Sequence, residues 1–540
     1  MTLSRAILLG AALLFLFWLG GHDLWAPDEP YFAEGAREMV ADGKWAVPHV
    51  NGVVTTDKPP LFFWLIALFS LPFGTVTTWT ARLPSALAAL GTVAITMNLG
   101  HRFYGPRTAA LAGAVLATSY LFWEKARWSQ TDAVLCFLIW CALGSFALFR
   151  AGDLSGVRAG LIFWISMALA VLNKGPVGLL LPLGIALVVL AGDRSLGSWR
   201  RFAPWTGPLA FLGITGAWIL FVTFGGGGEY SVWGALKEHF VDRGIHGYHH
   251  KQPPWYYAEV LPAILLPWTF LVPGALVLAW RRRTHWDRFF LTLACFVVIF
   301  FSISTEKREL YVLPAFPAFA IMVASFGAAL TGWQEPAGSQ DLPLSRRWGT
   351  IAQMLLGGLL VAIGLYAPTA RLMVTFVPVW VAYVFGAIVI TTGLAVVAFA
   401  YRGSVLRSML ASAAGFSVLL LFVASVVWPF YETIKSARPF SLVMKNETQG
   451  AREAGRPVMC FGLANLPEHF AYYTDGVYTL ETDDPKTLAE HLDNPEKTFA
   501  VVNGNRLAEL PEGLQGSLVT IHETTLARRR VLLVTNGKEP

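Results

Sequence analysis

Asp28 and Glu29 stand side by side between two prolines in WAPDEPYFAEGAREMVADGKW (25–45), directly after the apolar run RAILLGAALLFLFWLGG. A carboxylate there can take a proton from a nucleophile or orient one. Four further stretches gather ionisable groups between apolar runs. DKPP carries Asp57 and Lys58, EKARWSQTD carries Glu124, Lys125, Arg127 and Asp132, NKGP carries Lys174, and STEKRELY carries Glu306, Lys307, Arg308, Glu309 and Tyr311. The segment 224–257 adds Glu229, Lys237, Glu238, His239, Asp242, Arg243, His246, His249 and His250. Lys58, Lys174, Arg243, Lys307 and Arg308 are donors that a phosphate could use, arginine in a bidentate geometry. With Asp28 and Asp132 as carboxylates able to accept a proton or orient an acceptor, the set suits group transfer beside a phosphate.

Each residue also has a plain reading. Asp28 can cap the helix that Pro30 begins, its charge favoured by the helix dipole, while Glu29 faces elsewhere, or the reverse. Lys58 can snorkel at a membrane surface. Lys174 can be a connector between two apolar runs, and Arg243 and the histidines ordinary loop residues. HGYHH (246–250) lacks both thiolates and a helical His-x3-His pair, so it is weak as a metal motif. GGGG (225–228) has no nucleotide-binding spacing and reads as a hinge. ARRR (527–530) reads as surface charge.

These groups need a scaffold, and the composition names its kind. The chain of 540 residues is 55% hydrophobic and 14% charged, with a mean hydropathy of +0.52. Soluble proteins carry about 25% charged residues. Apolar runs of about 20 residues cross a bilayer as helices, which satisfy their own backbone. The predicted spans are 6–20, 81–100, 107–122, 132–150, 158–173, 176–192, 205–224, 257–280, 288–304, 311–330, 349–367, 375–401 and 404–428, about thirteen in all. PPLFFWLIALFSLPFG (59–74) is short and bounded by prolines, which suits an interfacial helix within a long first loop, 21–80. The net charge of +6 is not a nucleic-acid signal, because the arginines flank apolar runs as the positive-inside rule predicts. Arg102 and Arg107, Arg150 and Arg158, Arg194, Arg200 and Arg201, Arg281 to Arg283 and Arg288, Arg346 and Arg347, and Arg402 and Arg407 then share the cytoplasmic face with the N-terminus. Arg5 precedes a run without a small-residue cleavage site, so a cleavable signal peptide is not expected. The four cysteines form no readable disulfide framework.

The candidate residues fall on the opposite face. Ionisable groups near membrane depth are costly and face a cavity or one another. Residues 430–540 change character: VMCFG (458–462), FAVVN (499–503) and RVLLVTN (530–536) predict strands and PKTLAEHLDN a helix, hence a small α/β domain on that same side. The fold class is therefore an all-α polytopic membrane protein, with 1–429 as the transmembrane domain and 430–540 as a soluble α/β domain.

The order PDEPYFAEGAREM, DKPPLFFWLIAL, ARLPSALAAL, HRFYG, WSQTDAVL, LNKGPVG and FFSISTEKRELYVLPAFPAFA resembles the GT-C membrane glycosyltransferases that use a polyprenyl-phosphate sugar. It looks most like the bacterial lipid A aminoarabinose transferase family and less like the protein O-mannosyltransferases. The resemblance is strong over about 1–330. It implies an inverting enzyme of the inner membrane that takes a sugar, 4-amino-4-deoxy-L-arabinose, from undecaprenyl phosphate to lipid A in the periplasm. The implied partners are the undecaprenyl-phosphate-linked sugar, lipid A or another envelope acceptor, and membrane lipids, with no nucleic acid. Residue by residue, the early acid falls on Asp28, the lysine before paired prolines on Lys58 and the Asp of the second outward loop on Asp132. The basic residues near the donor phosphate fall on Lys58, Arg243 and Lys307. Relatives often have Glu where this chain has Asp57, one methylene shorter. Asp28 and Asp132 are thus the expected catalytic residues. Glu29, Asp57, Lys58, Lys174, Arg243, Lys307, Arg308 and Tyr311 are expected to bind substrate. No cofactor is expected to be required, a divalent metal near Asp57 and His239 being the alternative. The rival readings are a protein O-mannosyltransferase or other envelope glycosyltransferase, and a lipid or sugar transporter. A transporter predicts inverted repeats and midplane charges, and the sequence has no internal repeat.

Overall fold

The computed structural model of the chain describes residues 3–56, 58–202, 205–226, 251–331, 342–370, 376–464, 466–526 and 529–538. Among them, nine helices are long and apolar enough to cross a membrane. A tenth span arises if Tyr256–Ile264 and Thr269–Arg282, bent by 119°, count as one. This is a multi-pass membrane protein. The other three predicted runs hold shorter helices: Leu3–Leu16, Pro106–Ala117 and Val177–Gly192. The run 107–122 breaks because the chain turns at Thr118 and restarts as Tyr120–Ala126, with the Tyr120 N–H donated to the Leu266 carbonyl (2.9 Å). PPLFFWLIALFSLPFG forms a helix over Leu61–Ser70 and one tight turn over Leu71–Phe73. It ends at Gly74, whose φ of 65° suits glycine. Ten helical residues are too few to span a bilayer.

The chain divides into two compact units: Met1–Leu19, Thr56–Phe62 and Arg82–Val427; and Gly20–Thr55, Phe63–Ala81 and Trp428–Pro540. The first holds the long helices. Several of its arginine-flanked helix ends are joined by ion pairs. Arg102 meets Asp153 at 2.6 Å, and Arg150 meets Asp193 at 2.7 Å with His285 and Arg288 at 3.4 Å from the same carboxylate. Buried Arg127 donates to the carbonyls of Leu14, Phe15, Phe17 and Trp18. It thereby caps the orphan acceptors, and the negative dipole end, of the first helix. Helices Leu342–Ala370 and Val379–Tyr401 touch through glycine: a methyl on Gly357 would come within 2.7 Å of the Gly393 carbonyl, and one on Gly364 within 2.7 Å of the Gly386 carbonyl.

The second unit joins the first loop to the C-terminal residues. A short hairpin, β1 (His49–Val50) with β2 (Val53–Val54), precedes a five-stranded sheet. Its strands are β3 (Val458–Phe461), β4 (Thr479–Thr482), β5 (Phe499–Asn503), β6 (Val519–Leu526) and β7 (Arg529–Thr535), in the order β4-β3-β5-β7-β6. β3 pairs in parallel with β4 and β5, and β7 runs antiparallel to β5 and β6. β3 and β5 are covered on both faces, which is why each reads as a continuous apolar run. Helix Pro485–Leu492 lies where PKTLAEHLDN predicts it, capped by the Asp484 side chain. Asn51 ties the hairpin to the sheet, since its amide donates to the Thr479 carbonyl (2.8 Å) and its side-chain oxygen accepts the Thr479 N–H (3.0 Å).

Candidate functional site

The helical unit brings several predicted residues together. Asp132 opens helix Thr131–Arg150 and Lys174 closes helix Gly156–Lys174. The two meet in an ion pair of 2.5 Å, with side-chain exposures of 7% and 18%. A pair so poorly hydrated needs its partners kept, because each charge alone would face a large desolvation cost. Asn173 supports the junction by donating to the Thr131 carbonyl (2.9 Å). The Lys174 ammonium lies 5.3 Å from the centre of the Tyr311 ring. Lys58 and Arg308 are within electrostatic reach of that ammonium. The Lys174–Asp132 pair thus lies in the field of two further cations.

Lys307 is used differently. It is buried, and its ammonium donates to the carbonyls of Gln252 (2.9 Å) and Ser304 (2.5 Å). It thereby ties Gln252 to the turn at Ser304, next to the bridge between Lys251 and Glu306. Tyr257 adds a bond from its hydroxyl to the Arg308 carbonyl (3.1 Å).

Asp28 and Glu29 belong to the second unit, where they open helix Asp28–Asp42. Pro27 occupies the capping position, without a side-chain capping bond. Glu29 is wholly buried and accepts the Trp25 N–H (3.0 Å), which closes the turn before the helix. Asp28 is half-buried. Neither acid caps the helix with its side chain, a role the sequence allowed; Glu29 instead holds the Trp25 backbone.

Acids surround that turn. Glu34 is buried and gripped by Arg37 through two bonds of 2.7 Å. Burial still raises its carboxyl to about 7, against the pull of Arg37. Glu38 accepts the Gly52 N–H (3.0 Å), and burial raises it as well. Helix Pro467–Tyr473 packs on Asp28–Asp42 and brings two groups that the sequence reading did not single out. Burial, reinforced by the charges of Glu481, Glu34 and Asp28, raises Glu468 to about 8. Burial lowers His469 to about 4, so its imidazole is neutral beside Asp28. EHF within a C-terminal amphipathic stretch carries no motif, and only contact with the first loop reveals it.

Asp57, Arg243, His239 and HGYHH lie outside the described residues. Among the described residues, no group of three or more His, Cys, Asp or Glu side chains is placed to hold a metal ion.

A family model described as dolichyl-phosphate-mannose-protein mannosyltransferase matches residues 57–223. The undecaprenyl phosphate-alpha-4-amino-4-deoxy-L-arabinose arabinosyl transferase 2 of Pseudomonas fluorescens is 30% identical over 327 residues, 59% of this chain and 55% of the relative. The corresponding transferase of Pectobacterium atrosepticum is 32% identical over 339 residues, 61% and 59% of the two chains. The chain thus spans little more than half the length of these curated relatives. The crystal structure of ArnT from Cupriavidus metallidurans bound to undecaprenyl phosphate matches with a TM-score of 0.76 at 20% identity, over 99% of both chains. The archaeal oligosaccharyltransferase AglB from Archaeoglobus fulgidus, in complex with an inhibitory peptide and a dolichol-phosphate, gives 0.54 at 13% identity, over 93% of this chain and 69% of that one.

By fold, then, this is a membrane protein of the GT-C type with a small C-terminal α/β sheet. The resemblance read from the motifs holds: the chain is similar, in sequence and in fold, to the undecaprenyl phosphate aminoarabinose transferases.

Proposed function

We propose that the protein is an inverting glycosyltransferase that moves an amino sugar, 4-amino-4-deoxy-L-arabinose, from undecaprenyl phosphate to a lipid A phosphate. The observation that carries this reading is the Lys174–Asp132 ion pair with Lys58 and Arg308 within electrostatic reach of Lys174, in a unit built of membrane helices. Such a cluster favours the charge that gathers on a lipid phosphate as it leaves, the electrostatic contribution catalysis exploits most often. The bond from the anomeric carbon to the donor phosphate breaks as the acceptor oxygen bonds to that carbon from the opposite face. Undecaprenyl phosphate leaves with the electron pair. An anionic lipid A phosphate has no proton to lose, so Asp28 orients the acceptor or the sugar's amine. A hydroxyl acceptor would pass its proton to Asp28.

Lys58 and Arg308 bind the donor phosphate in this scheme, with Arg243 a further donor and Asp57 and Tyr311 lining the substrate; Glu29, wholly buried and bonded to the Trp25 N–H, is corrected from a substrate ligand to a support of the turn before Asp28. Asp132 holds Lys174 in place. Lys307 contributes by holding the turn beside Arg308. The scheme requires no metal. The arginine-flanked rim faces the cytoplasm of the inner membrane, and residues 430–540 form a periplasmic domain.

The test supplies the purified protein with the undecaprenyl-phosphate-linked aminosugar and either lipid A or a Ser/Thr peptide. Pentosamine found by mass spectrometry on lipid A alone supports the reading. Transfer to the peptide instead makes the protein an O-glycosyltransferase, and no transfer to either rejects an enzyme of this class.

A further inference from the structure

The turn leading into Asp28 is held by side chains more than 400 residues further along the chain. The Asp23 N–H donates to the Glu432 carboxylate (2.6 Å), and the Asp23 carboxylate accepts from the Ser436 hydroxyl (2.7 Å). Leu24 is gripped through both polar groups of its backbone. Its N–H donates to the Tyr473 hydroxyl (2.7 Å), and that hydroxyl donates to the Leu24 carbonyl (3.2 Å). Trp25 then donates to Glu29, inside the helix that Asp28 begins. Four residues before Tyr473, and so on the same face of its helix, stands His469. It has no exposed surface and lies against the Pro27 backbone and the Asp28 charge. Neither ring nitrogen has a hydrogen-bond partner of normal geometry among the described residues. Buried polar groups are rarely left so, and this one sits beside the residue assigned the transfer chemistry.

We propose that helix Pro467–Tyr473 is the positioning element for Asp28: Tyr473 fixes the backbone of the approach and His469 backs the last residue before the carboxylate. The C-terminal residues would then act on the reaction through the aim of Asp28, without touching substrate. This rests on the reading of Asp28 given above.

The neighbouring tyrosine supplies the control. Tyr472 belongs to the same helix, and its hydroxyl donates to the Val76 carbonyl (3.0 Å) and not to the Leu24 backbone that Tyr473 holds. A helix that is merely structural predicts equal consequences when either hydroxyl is removed. The experiment measures transfer by the full-length protein, with undecaprenyl-phosphate-linked aminosugar and lipid A, for Tyr473→Phe and Tyr472→Phe. Tyr473→Phe should lower kcat by about ten-fold or more and leave the donor KM within about two-fold. Tyr472→Phe should leave both within about two-fold. Equal effects, or a Tyr473→Phe loss carried by KM, overturn the proposal. Should Tyr473→Phe fail to accumulate in membranes, His469→Leu and His469→Gln read the same element. Gln keeps a neutral polar group against Pro27 and should retain most of the kcat that Leu loses; equal activities overturn the proposal. Absence of transfer by the unaltered protein would instead overturn the functional reading, which keeps the two failures apart.

Discussion

The two units treat their carboxylates in opposite ways. In the helical unit Asp132 is buried, but it is paired with Lys174, which also feels the charges of Lys58 and Arg308. In the other unit Glu34, Glu38, Glu468 and Asp28 crowd together, with Arg37 the cation that answers Glu34. The first arrangement pairs its carboxylate with a cation, and in the proposed scheme its cations receive the donor phosphate. In the second, Glu34 and Glu468 hold their protons toward neutral pH, because burial and like charges oppose ionisation. The lesson is that burial alone does not tell what a carboxylate is for; the sign of its neighbours does.

The sharpest way to break this contrast is Asp28→Asn. It should abolish transfer, a loss of about 1,000-fold on the scale of acid–base and orienting groups, with unchanged protein in the membrane. Turnover at the wild-type rate would remove Asp28 from the mechanism. Next comes Lys174→Met, which strands Asp132 in a poorly hydrated site. Breaking such a pair costs about 3–5 kcal/mol, seen as a lower Tm in detergent together with lost transfer. Adding Asp132→Asn should restore much of the Tm and none of the activity. A double variant as unstable as the single one would mean that the pair is not the source of the effect.

A smaller effect sharpens the acid-rich side. Glu34 and Glu468 are raised from 4.5 to about 7 and about 8 by burial. Between those limits the folded unit binds more protons than the unfolded chain, so its stability falls as pH rises. Thermal unfolding from pH 5 to 9 should show that slope, and Glu468→Gln, which cannot ionise, should flatten it. An unchanged slope would mean Glu468 is not the group responsible. The smallest effect belongs to the exposed pair Arg530–Glu523, at 2.7 Å between β7 and the edge strand β6. Arg530→Ala should leave Tm and transfer indistinguishable from wild type, since exposed pairs contribute little.

Much of the helical unit was legible because a bilayer imposes length and apolarity on each span, and those survive in a single sequence. The bend between Tyr256–Ile264 and Thr269–Arg282 was not, since a run of apolar residues reads alike whether straight or folded back. The nearness of Lys174 to Asp132 was implied only by their positions at two helix ends, and Lys307 could not be told from Arg308 until its carbonyl partners were seen. In the C-terminal residues, the buried strands β3, β5 and β7 announced themselves. β4 and β6 did not, because TLET and VTIHETTL are largely uncovered and mix polar residues into the run. Glu468 and His469 were invisible for a deeper reason: their significance lies in a contact spanning more than 400 residues, such as that of Tyr473 with Leu24.

The glycine seam between Leu342–Ala370 and Val379–Tyr401 has a consequence for biogenesis. Hydrocarbon tails solvate leucine as well as another helix does, so an approach too tight for lipid is one of the forces that can hold two spans together before the rest of the bundle exists. Gly357 against Gly393, and Gly364 against Gly386, provide that approach. This hairpin can therefore leave the translocon as one object, joined before later segments are synthesised, and a ribosome stalled short of Val379 would release a span with an open notch and no mate.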